Sequence, residues 1–273
     1  MKIHHPFLLA PALSLAFVVS SLSAGAIVGG PLSNSLPPVD GASASPVNIG
    51  FSVNFLGTTY NTLSVNDDGN VTFDSPGGDS DFSVPSLNEA GFPILAPFFA
   101  DVDPSGSGQV TYGNLTVGGQ QAFGVDWTNV GYYYLPSAGT DKLNSFQLLL
   151  IQGANPGDFT LEFNYNQIQW EAGLADGGID GLGGGSAVAG FSSTGDLLGV
   201  TYELPGSAVN GALIDGGPDS LVANSINSAI PGSYQFSFVN GSETPEPGTW
   251  LMAVAGLMLL LAGLRLKTRR TIR

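Results

Sequence analysis

Asp101-Val102-Asp103 sets two carboxylates two residues apart, on the same side of an extended chain. With a third oxygen donor such a pair could hold Ca²⁺. Without one, Asp103-Pro104 reads as the start of a turn, with Asp101 bonded to backbone amides. Asp67-Asp68-Gly69 reads as a hairpin turn, and Asp79 and Asp81 as solvated carboxylates in a polar loop. The run from Asp176 to Gly181 has the make-up of a single glycine-rich calcium repeat, but such repeats work by stacking and this one occurs once. Glu162 and Glu171 are the natural pair for glycosidic hydrolysis, which needs two acids flanking one cleft at about 5 to 10 Å. The chain has 22 acidic residues, so some pair at that spacing is expected by chance. The reading is therefore non-enzymatic, with no catalytic residues assigned and a carboxylate-based glycoside hydrolase as a lesser alternative.

The missing residue types narrow the chemistry further. There is no cysteine, hence no disulfide framework, thiol nucleophile or thiolate metal site. The two histidines, His4 and His5, lie in an N-terminal segment that reads as a leader. Without them the protein has no Ser-His-Asp triad, histidine base or histidine zinc site. All 22 acidic residues fall between Asp40 and Glu246, against Lys142 alone, a net charge of −21 over that span. Such a surface repels phosphate backbones, which excludes nucleic acid as a partner.

The elements that carry these residues read as strands. Leu63 and Val65 lead into Asn66-Asp67-Asp68-Gly69-Asn70, and Val71 and Phe73 follow, a hairpin pattern. From Phe146 to Ile151 both faces are largely apolar, as in a central strand. Phe159, Leu161, Phe163 and Tyr165 share one face, with Thr160, Glu162, Asn164 and Asn166 opposite. Ile168 and Trp170 fall on the wrong parity, so a β-bulge near Asn166-Gln167 is expected to return them to the core. Tyr234, Phe236 and Phe238 make a last clear strand. Trp127 reads as core, and at least one of Tyr132, Tyr133 and Tyr134 must be exposed, as a candidate sugar-stacking face. Many short strands between Gly- and Pro-rich turns predict an all-β, sandwich-like domain over residues 47–240. Residues 27–46 read as a lead-in, 172–186 as a long mobile loop and 241–249 as a linker.

Both ends read as targeting segments. Lys2, the apolar run from Phe7 to Val19 and the small residues Ala24-Gly25-Ala26 make a signal peptide over 1–26, cleaved after Ala26. Trp250 to Leu264 is apolar without a charge, and a transmembrane helix is expected over 250–266. Arg265, Lys267, Arg269 and Arg270, with the tail 267–273, set that end in the cytoplasm.

Pro245-Glu246-Pro247, then the apolar span, then the Arg-rich end resembles the PEP-CTERM sorting signal. The resemblance implies a Gram-negative bacterium that exports polysaccharide. It also implies an inner-membrane intermediate, an exosortase-type processing enzyme that cuts near the motif, and release to the surface or beyond. A second resemblance lies between the two ends. Phe55 to Tyr60, Pro93 to Asp103, Asn144 to Trp170 and Ala189-Gly190-Phe191, with Leu204-Pro205-Gly206-Ser207, are similar in order and spacing to the NIDO domain, the extracellular module named after nidogen. Phe99 stands where the family has Trp, and the glycine-rich loop after Trp170 is long. This resemblance implies a surface or matrix protein in cell–matrix adhesion, and with the sorting signal it implies association with exopolysaccharide or biofilm. The alternative is a carbohydrate-binding module, with Ca²⁺ as its only candidate cofactor.

Overall fold

The computed structural model describes residues 26–29, 32–73, 86–193 and 199–244. Ala24, Asp79, Asp81, Pro245, Glu246, Pro247, the 250–266 span and Arg265, Lys267, Arg269 and Arg270 lie outside the described residues. Alternating apolar side chains drive the described part into two antiparallel sheets, with strands numbered in chain order. The first sheet runs β1 (Asn34–Ser35), β7 (Gln109–Val117), β8 (Gln120–Tyr132), β9 (Gly139–Gln152), β10 (Phe159–Gln167), β13 (Ser233–Val239), β14 (Ser242–Thr244). A short β6 (Val102–Asp103) pairs with β8. The second sheet runs β12 (Thr201–Glu203), β11 (Val188–Ser192), β5 (Ile94–Phe99), β4 (Asn70–Thr72), β3 (Thr58–Asn66), β2 (Ser43–Phe55). Among the described residues the only helix is one 3₁₀ turn, Leu87–Glu89, and none is long and apolar enough to cross a membrane.

The inner faces of the two sheets meet through aromatic rings. Phe98 of β5 lies 5.3 Å from Phe146 of β9, and Phe55 of β2 lies 5.5 Å from Phe238 of β13. The Tyr165 hydroxyl of β10 crosses the gap to donate to the Pro97 carbonyl of β5 at 2.6 Å, so this buried polar tip is satisfied. The expected bulge is present: the β9–β10 register shifts between Tyr165 and Gln167, and Ile168 and Trp170 are fully buried. The β3–β4 hairpin also forms as read, closing Asn66 against Asn70.

The lead-in is bonded to both sheets. Residues 26–29 and 32–36 lie on the outer face of the first sheet as a strap. Val28 exchanges two hydrogen bonds with the Gln147 side chain, at 3.1 and 2.9 Å. Leu32 lies against Gly124, where a Cβ would come within 3.2 Å of it, and β1 then pairs with the edge of β7. The strap lies over a polar row that runs across five strands in register: Thr111, Asp126, Gln147, Asn164 and Ser233. At the other end, residues 242–244 are an edge strand hydrogen-bonded to β13, so the sheet continues into the segment read as linker. From β2 onward the lead-in also supplies Ser43 to Pro46 to the second sheet.

Gly69 sits where the turn and β5 approach too closely for a side chain. Gly69 has φ +68°, and a Cβ there would overlap the Phe98 carbonyl. Gly118 also has positive φ, +57°, but opens onto free space. Gly69→Ala is expected to cost at least ~3 kcal/mol through strain plus overlap, and Gly118→Ala about 1 kcal/mol through strain alone. Urea unfolding of the two variants checks this, and equal losses would mean that Gly69 is an ordinary turn glycine.

Candidate functional site

The acidic residues at one end of the sandwich gather around the Asn66–Asn70 turn. Asn, Asp and Gly favour such a turn because their short side chains bond nearby backbone. This turn is sealed from solvent along its whole length, with Asn66, Asp67 and Asn70 fully buried. Its backbone carbonyls take the Trp127 indole N–H at Asp67 (2.8 Å) and the Phe98 amide at Gly69 (3.2 Å). The Asp67 carboxylate accepts the Ala42 amide at 2.9 Å, and Asp68 accepts the Val102 amide at 2.7 Å. The turn therefore ties strap side, second sheet and β6 together. The other Asp67 oxygen, Oδ1, is buried without a partner. Burial pushes the Asp67 carboxyl up to about 8, with the Ala42 amide opposing and the Asp40 charge adding to it.

Asp101 and Asp103 follow β5 and divide their roles. Asp103 is buried and accepts the Ser105 amide at 2.8 Å, the turn geometry its neighbour Pro104 favours. Asp101 is buried against Gly173, where a Cβ would strike its carboxylate. Burial, then the charges of Asp176 and Asp40, push its carboxyl up to about 7, against the Ala175 amide that pulls it down. Asp101 Oδ2 and Asp176 Oδ2 are buried without partners. These two oxygens are where a cation would meet carboxylate. Among the described residues, however, no group of three or more His, Asp or Glu is arranged to hold a metal ion.

The 172–186 segment, read as a mobile loop, is an ordered coil built around Glu171. Glu171 is fully buried. It accepts the amides of Gly211 and Leu213 (2.6 Å) and the Ser186 hydroxyl (3.1 Å). Its own backbone pairs with Gly181 and Ala187, and Gly178 closes onto Gly173 at 2.8 Å. Glycine lets this chain turn tightly, and one carboxylate supplies the acceptor that the converging amides need. Glu171 thus has no open face toward a substrate. Glu162 lies on the outer face of the first sheet, accepting Gln235 at 3.1 Å and Ser233 at 3.5 Å. The hydrolase alternative loses its pair on this geometry.

Trp127 is core, stacked on Phe146 at 5.0 Å. Tyr132 points inward and donates to Asp141 at 2.8 Å, while Tyr133 and Tyr134 are half-buried beside the exposed Leu135. Sequence reasoning missed the row beneath the strap. Gln147 donates to Asp126 at 2.7 Å and accepts from Asn164 at 3.1 Å, and burial pushes Asp126 up to about 6. The signal for it was the polar position in each of β8, β9 and β10, visible only once their register is known.

Two outcomes follow. Glu171→Gln is expected to cost about 2–4 kcal/mol in urea unfolding, and Glu162→Gln under about 1 kcal/mol; a mild Glu171 variant would return that residue to the catalytic candidates. The raised carboxyls set a pH slope. Each holds a proton in the folded state that the unfolded chain releases near 3.8. Their stabilising contribution is whole below that pH. It is lost as pH rises through about 6 for Asp126 and Asp176, about 7 for Asp101 and about 8 for Asp67. Asp141 and Asp158, held below the usual range by hydrogen bonds, act oppositely and lose their contribution below 3.8. The melting temperature is expected to peak at roughly pH 4 to 5 and fall toward pH 8, with the slope flattened in Asp101→Asn. Calorimetry across that range measures it, and a rise toward pH 8 would contradict it.

A family model described as NIDO related matches residues 25–210, from the strap through the Glu171 coil. Alpha-tectorin from Mus musculus is 30% identical over 237 residues, covering 76% of this chain and 10% of that protein. Alpha-tectorin from Homo sapiens gives the same figures, and that from Gallus gallus is 28% identical over 243 residues, 78% of this chain. The chain therefore spans about a tenth of the length of these relatives. No solved structure matches it. The matched span contains the buried turn, Asp101 and Glu171, the parts that organise this end of the sandwich, and on that match the chain belongs to the NIDO-related family.

Proposed function

We propose that the protein works outside the cell as a non-catalytic module of a surface or matrix layer. Membership of the NIDO-related family carries this reading, because the animal modules that the sequence resembles serve cell–matrix adhesion. The chemistry agrees with it. The candidate hydrolytic carboxylate Glu171 is enclosed by amides, and histidine and cysteine are absent from residues 26–244. Delivery follows the sorting signal. The chain passes the inner membrane with Arg265, Lys267, Arg269 and Arg270 inside, an exosortase-type enzyme cuts near Pro245-Glu246-Pro247, and the acidic domain is released to associate with extracellular polysaccharide. A dense negative charge suits that place, since it keeps a secreted domain soluble and away from anionic surfaces.

A deletion strain and its complemented parent test the proposal together. The expected outcome is weaker cell aggregation in the deletion. In the parent, the protein should sit in the matrix fraction, with a C-terminus shown by mass spectrometry to lack residues 250–273. Unchanged aggregation, with an intact tail retained in the membrane fraction, would overturn it.

A further inference from the structure

The side of the sandwich between β12 and β13 is closed by the segment from Leu204 to Gly232, and it holds a pocket of about 240 Å³. Pro205, Pro218 and Ile226 form its apolar walls, and Asp219, Asn224, Ser225 and Tyr234 bring polar atoms to it. The walls are fixed by backbone bonds. Asp219 N–H binds Ala212 O at 3.0 Å, Leu221 N–H binds Leu213 O at 3.0 Å, and Gly232 N–H binds Asn224 O at 2.8 Å. Ile226 is further bridged to β13 by bonds with Ser233 and Gln235. The pocket is therefore formed before any ligand arrives, which removes most of the ordering cost of binding.

Its chemistry selects a ligand class. Tyr165, one ring away, donates its hydroxyl to Pro97, whereas Tyr234 lines the pocket and its hydroxyl has no hydrogen-bond partner among the described residues. Burial, then the nearby Asp219 charge, raise that phenol, so it stays protonated as a donor. Asp219 brings acceptor oxygens, and no Lys, Arg or His lines the pocket. Phosphates, sulfated sugars and uronates are thus repelled. A ligand with several neutral hydroxyls is matched, because each can donate to Asp219 and accept from Tyr234 while its C–H faces lie on proline. Tyr202, 37% exposed at the β12 edge beside Tyr234, offers an aromatic ring at the rim for the next unit of a chain.

We propose that this pocket binds one neutral pyranose unit of an extracellular polysaccharide, with Asp219 and Tyr234 as the hydrogen-bonding pair. The inference deepens the matrix reading and rests on it for the polymer, but not for the site. Saturation-transfer NMR on the exported protein tests it, with the methyl glycosides of glucose, galactose and mannose, N-acetylglucosamine and glucuronic acid as probes. Binding of at least one neutral sugar is expected, with glucuronic acid excluded. Asp219→Asn and Tyr234→Phe should each weaken it on the order of tenfold at unchanged melting temperature. Tyr202→Ala should weaken the disaccharide of the preferred sugar more than the monosaccharide. No neutral sugar bound, preference for the uronate, or binding unaffected by both pocket variants would each overturn the proposal. Cells carrying Asp219→Asn that aggregate normally would remove the pocket and leave the matrix role standing, whereas loss of the whole gene without effect removes the matrix role itself.

Discussion

The Asn66–Asn70 turn is sealed inside the protein, and the rest of the domain is arranged to make that tolerable. A hairpin turn ordinarily meets water, which satisfies its carbonyls and side chains. Here the carbonyls are taken by Trp127 and Phe98, and the two carboxylates by the amides of Ala42 and Val102. Those four partners belong to the chain before β2, to β5, to β6 and to β8. Moving any one of them would leave a buried polar group without a bond, at a cost of about 1–3 kcal/mol. The turn therefore fixes the spacing of the two sheets at this end more firmly than apolar contact could, since hydrogen bonds have direction and dispersion does not.

The same device recurs with Glu171. In each case carboxyl groups accept amides from distant parts of the chain, and these bonds order the coil around them. This accounts for how so acidic a chain folds with Lys142 as the only basic residue between Asp40 and Glu246. Part of the charge is neutralised by backbone N–H groups and part by retained protons, as at Asp67 and Asp101. Lys142 itself is spent on an exposed pair with Asp141 at 2.7 Å, which adds little to stability.

What could be read from the chain follows from how local each signal is. The bulge at Tyr165–Gln167 was legible because apolar parity changes within one strand. The β3–β4 hairpin was legible because its turn residues sit between two alternating runs. The strap was not. Its Ser, Pro and Gly content has no period, and its order comes from Gln147, 119 residues from Val28. The 172–186 coil was misread for the same reason. Its glycines do signal freedom, but the carboxylate that removes that freedom draws amides from Gly211 and Leu213, 40 and 42 residues along the chain. Of the site residues, Asp101 and Asp103 divide their partners between Gly173 and Ser105, which could not be seen from their spacing.

These long separations also order the assembly. The strap precedes both sheets in the chain, but it needs β7 for β1 and β9 for Gln147. Beneath its first residue lies Gly232, where a Cβ would come within 3.4 Å of Ala26. Its bonds need the first sheet in place, and β10 lacks its neighbour without β13. Pairings of such sequence separation close slowly, because loop entropy is lost before contacts compensate it. The Glu171 coil and the β12–β13 pocket both draw on residues beyond 204, so neither is complete without that late part of the chain.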